Sequence, residues 1–147
     1  MMRPALGFVM ALLMIGEALA GHDESSFTVS ATVPGLTRLT VLEEPAGLML
    51  SADDVARGYK EVAARYRINC NATTGYLLRL VPRLGVARRI EVRGLPSSVT
   101  VERETVEIHQ RPDHRSHEIL LRLRFLLDSS VLPGRYGLPL LVTAVPL

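Results

Sequence analysis

The fold is decided by residues Ala64–Arg83, which read ARYRINCNATTGYLLRLVPR. Up to Cys70 the even-numbered residues are apolar or small, and the odd-numbered residues between them are Arg65, Arg67 and Asn69. A period of two is typical of a strand that buries one face and exposes the other. The first part of this stretch is therefore predicted to be a strand with its even-numbered side chains inward.

The second part of the stretch predicts a turn and another strand. Asn71–Gly75 has the composition of a turn. After it Tyr76, Leu78 and Leu80 share one face of a strand. Two long strands joined by so short a turn are expected to form a hairpin at the centre of an all-β domain.

Other stretches of the chain alternate in the same way. Phe27–Val33 alternates without a break, and Glu118–Asp128 carries five inward apolar positions. Shorter strands are expected at residues 36–42, 48–50, 89–93, 99–101, 106–108 and 136–147. Strands of this number, roughly seven to nine, separated by turns predict an immunoglobulin-like β-sandwich as a single domain over residues 27–147. The residues predicted to form its core are Tyr66, Ile68, Leu78, Leu80, Leu121, Leu123 and Phe125.

The first twenty residues, 1–20, have the features of a secretory signal peptide. Arg3 supplies the positive start, Ala5–Ile15 is an apolar core, and Ala18–Ala20 gives the cleavage pattern. A polar, flexible lead is expected at residues 21–26. The mature chain is therefore expected to have no membrane span and to be exported to the periplasm, the cell surface or the extracellular space.

The composition argues against some partners. The net charge is +2, and the arginines alternate with apolar residues along strands, so nucleic acid is not an expected partner. Cys70 is the only cysteine. It is either buried as a small apolar side chain or bridged to another chain.

Few residues suggest chemistry. The cluster that most resembles a metal site is His109, Asp113, His114 and His117, but its spacing fits no standard site and arginines lie within it. No nucleophile elbow or phosphate-binding glycine loop is present in the sequence, so neither an enzyme nor a cofactor is expected. Two acidic pairs, at residues 43–44 and 53–54, are interpreted as solvated turns rather than as a general acid and base. Ser51 followed three residues later by Asp54 also resembles a capping box, which predicts a short helical turn that ends at Gly58.

The strand nearest the amino terminus suggests a mechanical role. Its apolar face is formed by Phe27, Val29, Ala31 and Val33. Such a strand either completes the sandwich of its own chain or adds to the sheet of a neighbour through backbone hydrogen bonds and alternate side chains. The pattern alone leaves both possibilities open.

Three motifs resemble a known family. They are Phe27–Val33, then Ile68–Asn71 with Gly75–Leu78, and finally Pro133–Tyr136 before the last strand. In this order they resemble the secreted spore coat protein U-like and chaperone–usher pilin domains. The resemblance implies an incomplete immunoglobulin-like sandwich, stabilised by a periplasmic chaperone, delivered to an usher and polymerised through its N-terminal strand. These relatives usually carry an early cysteine that pairs with the one matching Cys70, whereas residues 34–42 contain none.

Three functions are thus considered. The first is a non-enzymatic exported subunit of a pilus- or coat-like assembly, whose partners are sibling subunits, a chaperone and an usher. The alternative is a self-contained periplasmic or extracellular binding domain that meets its ligand with loops such as Gln110–Ser116. The third is a metal-handling protein that uses the histidine cluster.

Overall fold

The computed structural model describes residues 30–83 and 85–147, and the sandwich lies within a compact unit that runs from Val33 to Leu147. The strands are β1 (Thr37–Glu43), β2 (Leu48–Leu50), β3 (Tyr59–Cys70), β4 (Tyr76–Pro82), β5 (Ala87–Arg93), β6 (Val99–Val101), β7 (Val106–Gln110), β8 (Ser116–Leu127), β9 (Gly134–Tyr136) and β10 (Leu140–Pro146). One helix, α1 (Ala52–Arg57), joins β2 to β3. Within these described ranges no helix is long and apolar enough to cross a membrane.

The strands form an all-β sandwich, as predicted. The larger sheet has five strands in the order β1-β3-β8-β5-β6, and a second sheet has three in the order β10-β4-β7. Strands β2 and β9 form a small two-stranded sheet. The inward side chains of all three sheets belong to one hydrophobic cluster. The described strands number ten, slightly more than the sequence predicts, because short strands such as β9 have no alternation of their own.

Strands β3 and β8 are the centre of the larger sheet. They pair antiparallel from Tyr59 opposite Leu126 to Asn69 opposite Ser116. Their inward side chains face those of β4 and form the core. All seven predicted core residues are at most 1% exposed, so that prediction is confirmed.

The predicted central hairpin is wrong. Strand β3 pairs with β1 and β8, while β4 pairs with β7 and β10, so the chain crosses from one sheet to the other at Asn71–Gly75. Both strands bury one apolar face, and that pattern is the same for a hairpin in one sheet and for an arch between two sheets. The alternation cannot distinguish them.

Two other breaks in the pattern are crossings between sheets. The change of phase near Arg103 separates β6, in the larger sheet, from β7, in the three-stranded sheet. The predicted last strand, residues 136–147, is divided between β9 and β10. Pro139 lies between them, and its carbonyl accepts a hydrogen bond from the Arg83 amide. A proline has no N–H to donate, which favours a break in the ladder at this position.

The acidic pair at residues 53–54 is not simply a solvated turn. Asp54 is 2% exposed and forms a capping box with Ser51 at the start of α1. Its carboxylate also accepts hydrogen bonds from Arg57 and, at 2.8 Å, from Lys60 at the start of β3. These donors, with that of Lys60 the strongest influence, lower the pKa of Asp54 well below its ordinary value. The capping box of Ser51 and Asp54 and the end of the helix at Gly58 are as the sequence predicts, whereas the interpretation of Asp54 as part of a solvated turn is wrong.

The segment before β1 belongs to no strand. Residues 30–36 have no regular secondary structure, and all of them are exposed. The predicted first strand, Phe27–Val33, is therefore not seen over its second half. Its first half, with the predicted lead and signal peptide, lies outside the described residues.

Candidate functional site

One side of the sandwich ends in two edge strands that no described strand closes, and β6 and β7 are likewise edge strands of the same two sheets. Strand β10 pairs only with β4, and β1 pairs only with β3. The two strands lie next to each other at the same side of the sandwich. No backbone hydrogen bond joins them in the described part of the chain. We call this side the β1–β10 edge.

The core becomes more open along β10. Pairing with β4 directs Leu140, Val142, Ala144 and Pro146 to one face. Leu140 and Val142 are 2% and 6% exposed, whereas Ala144 is half-buried and Pro146 is exposed. The inward face of β10 is thus covered at its beginning and uncovered at its end.

Strand β1 shows the same incomplete cover. Val41 lies opposite Tyr66, whose side chain is buried, so Val41 faces the core side of the sheet. It is nevertheless 51% exposed. An inward valine with half of its surface in water leaves apolar surface that a further strand could bury.

The lead-in to β1 is held at one end of this edge. The Asn71 side chain accepts from the Leu36 amide and donates to the Pro34 carbonyl at 3.3 Å. A Cβ built on Gly35 would lie 3.5 Å from the Cβ of Pro146. The chain therefore enters β1 beside the last residues of β10. Val33 and Leu36 in this lead-in are 75% and 61% exposed.

The predicted partner-binding face is only partly described. Ala31 and Val33 lie in the exposed coil, in no strand, and contribute nothing to the described core. Phe27 and Val29 lie outside the described residues.

The histidine cluster is dispersed over two strands and a loop. His109, on β7, donates from Nε2 to the Thr74 carbonyl at 3.1 Å. His117, on β8, is hydrogen-bonded to the Tyr76 hydroxyl at 2.8 Å. Burial lowers the pKa of His117. Over residues 30–83 and 85–147 no three His, Cys, Asp or Glu side chains come together in an arrangement that could hold a metal ion.

Cys70 is buried and unpaired at the end of β3, with Thr37 of β1 directly opposite. The Thr37 hydroxyl donates to Sγ at 3.2 Å. The Asn71 amide donates to the Leu36 carbonyl, so Thr37 and Cys70 form a non-hydrogen-bonded pair, the kind with the closer Cα atoms.

Sequence reasoning missed the residues that define the edge. Val41 and Ala144 read as ordinary inward positions, because an alternating pattern does not tell whether a neighbouring strand is present. The signal that could have pointed to β10 is its apolar content on both faces. In the sequence, such content indicates a strand that is either central in its sheet or covered by a partner. Among the described strands β10 lies at the edge of its sheet.

The comparisons with known proteins add no assignment to this geometry. A scan against protein-family models, a search of the curated proteins and a search of the solved structures each found no match to this chain.

Proposed function

We propose that this protein is a non-enzymatic, exported subunit of a pilus- or coat-like assembly, joined by addition of residues 27–33 of one copy to the β1–β10 edge of the next. The observation that carries the proposal is this unclosed edge, with a half-exposed inward valine on β1 and an increasingly open inward face on β10. An added strand would supply backbone hydrogen bonds to β10 and alternate apolar side chains to the core.

The donor segment and the acceptor strand match in length and spacing. Residues 27–33 and β10 are both seven residues long. Each has four apolar positions on one face, spaced two residues apart. A strand of seven residues spans about 23 Å, so the donor covers β10 from end to end.

The inward face of β10 is covered at its beginning and exposed at its end, and this difference favours an antiparallel donor strand. In that orientation Phe27, the bulkiest donor residue, lies opposite Pro146, where the face is open, and Val33 lies opposite Leu140, where it is covered. A parallel donor would bring Phe27 to the covered end instead. Antiparallel pairing is also slightly more stable per residue.

The same geometry disfavours closure by the chain's own segment. Gly35 lies beside Pro146, and the Pro34–Gly35 pair would turn residues 27–33 back along β10 from that end. A self-inserted strand would therefore run parallel to β10, with Phe27 at the covered end. A strand from a second copy is free to run antiparallel.

The proposal includes partners besides the sibling subunit. A chain whose edge is open before assembly exposes apolar surface and unpaired backbone groups, which promote aggregation. A chaperone that lends a strand to the β1–β10 edge would prevent this, and an usher would exchange that strand for the next subunit. Export follows from the signal peptide expected at residues 1–20.

Sedimentation of matched variants tests the proposal. Val29→Asp places a carboxylate on the donor face, whereas Thr28→Asp places the same charge on the opposite face of the same strand. We expect the unmodified chain and Thr28→Asp to form oligomers that grow with concentration, and Val29→Asp to remain monomeric. Assembly of Val29→Asp at the level of the unmodified chain would contradict the proposal.

Deletion of residues 21–33 tests the alternative of a self-contained binding domain. An assembly subunit should keep its fold without these residues and bind an added peptide of residues 21–34. A domain that needs the segment for its own sandwich should unfold.

A further inference from the structure

A hollow with two arginines lies at one end of the β1–β10 edge. It has a volume of about 450 Å³. Its lining residues are Leu36, Arg38, Asn69, Cys70, Asn71 and Arg115. Arg38 lies on β1 opposite Asn69 of β3, and the Arg115 carbonyl accepts from the Cys70 amide at 2.8 Å on the other side of β3. The two arginines therefore flank the end of β3. We call this the arginine hollow.

The charge in the hollow is not balanced by the described chain. Several arginines elsewhere on the sheets pair with glutamates across strands, as Arg67 does with Glu118 and Arg79 with Glu107, both at 2.6 Å. Neither Arg38 nor Arg115 has an ion pair in the described ranges, and no carboxylate lines the hollow. With amide groups beside them, the two guanidinium groups suit a carboxylate ligand.

The hollow lies where an added strand would leave the edge. Asn71 and Leu36 line it, and Gly35, next to Leu36, lies beside Pro146 at the end of β10. An antiparallel donor places Phe27 opposite Pro146, so the residues before Phe27 continue past this end. These residues include Asp23 and Glu24. They lie three to four residues beyond Phe27, a reach of about 10–13 Å.

We infer that the arginine hollow binds the acidic lead, residues 21–26, of a second copy of this chain. The inference rests on the proposed function and adds to it the role of the lead. Contact between Asp23 or Glu24 and the two arginines fixes the register and direction of the donor, because a parallel donor would carry the lead to the opposite end of β10. It also steers association, so binding depends on salt.

Peptide binding to paired variants tests this inference. The acceptor is the full chain with Val29→Asp, which cannot donate its own strand. The probes are fluorescent peptides of residues 21–34, one with the natural sequence and one with Asp23→Asn and Glu24→Gln. We expect the neutral peptide to bind roughly three- to tenfold more weakly at low salt, a ratio that exposed ion pairs support. High salt should remove the difference.

Two variants of the acceptor chain test whether the preference for the natural peptide over the neutral one depends on the arginine hollow. In R38Q/R115Q the natural and neutral peptides should bind equally. R93Q/R122Q is the matched control, since it removes two arginines that face each other at the centre of the larger sheet. It should keep the preference for the acidic peptide.

The outcomes separate the two proposals. If both peptides bind the parent acceptor equally, the lead has no role and the inference is wrong, while strand addition stands. If R93Q/R122Q loses the preference as fully as R38Q/R115Q, the effect is one of net charge and the inference is again wrong. If neither peptide binds, the proposed function fails and the inference fails with it.

Discussion

The centre of the larger sheet and the β1–β10 edge have the same sequence pattern and different surroundings. At the centre, Leu121 and Leu123 of β8 are at most 1% exposed, because strands lie on both sides and the second sheet covers them. At the edge, Val41 faces the same way and remains half in water. The difference is that β8 has a neighbouring strand on both sides, whereas β1 has one on a single side. Alternation therefore reports which face turns inward, and exposure of that face reports whether a described strand lies beside it.

The largest expected effect contrasts a core residue with an edge residue. Phe125→Ala removes a fully buried ring and should lower the free energy of unfolding by about 3–5 kcal/mol. Val41→Ala should lower it by about 0.5 kcal/mol or less in the isolated chain. Urea denaturation of both variants measures the difference. With the peptide of residues 21–34 bound, the cost of Val41→Ala should rise, and a cost unchanged by the peptide would show that Val41 is not covered by a donor.

A new disulfide should strengthen the β1 side of the sandwich. Thr37→Cys places a thiol opposite Cys70 in a pair whose geometry suits a cross-strand bridge. Oxidation should raise the free energy of unfolding by about 2–4 kcal/mol. Thiol titration should find no free thiol after oxidation and two after reduction. Thr37→Ser is the control, and persistent free thiols or covalent dimers would contradict the pairing.

Acid should weaken the connection between β2 and β3. The folded-state pKa of Asp54 lies below its ordinary value of 3.8, so its contribution is complete at neutral pH and is lost as pH falls below about 4. Asp54→Asn should therefore lower the urea midpoint at pH 7 and flatten the decline in acid. Asp53→Asn, at an exposed neighbour, should change neither. If Asp54→Asn lowered the urea midpoint by the same amount at every pH, the link between stability and ionisation of Asp54 would be contradicted.

The smallest expected effect concerns the exposed ion pairs on the outer face of the larger sheet. Arg67 and Glu118 are each about half exposed and 2.6 Å apart. A double-mutant cycle with alanine at both positions should give a coupling energy of about 0.2–1 kcal/mol, which salt reduces. A coupling several times larger would mean that this face is covered in the folded protein.

The sequence predicted the fold class, the inward faces and the core, because burial of one face imposes a period of two on every strand. It did not predict the arch at Asn71–Gly75, since pairing partners are set by contacts distant in sequence. It predicted the capping box of Ser51 and Asp54, but not the ion pair of Asp54 with Lys60 or the contact of Thr37 with Cys70, which depend on residues that only the fold brings together. The proposed donor face was visible as a pattern in residues 27–33, whereas the proposed acceptor was indicated only by the apolar content of both faces of β10, because alternation does not tell whether a neighbouring strand is present.

The most direct test is amide hydrogen exchange along β10 in the Val29→Asp chain, with and without the peptide of residues 21–34. We predict that, without peptide, the β10 amides not bonded to β4 exchange much faster than those of β3 and β8. Addition of the peptide should slow them, while a peptide with Val29→Asp should not. If the β10 amides are as protected as those of β3 in the absence of peptide, or if the peptide leaves them unchanged, the edge is not an acceptor.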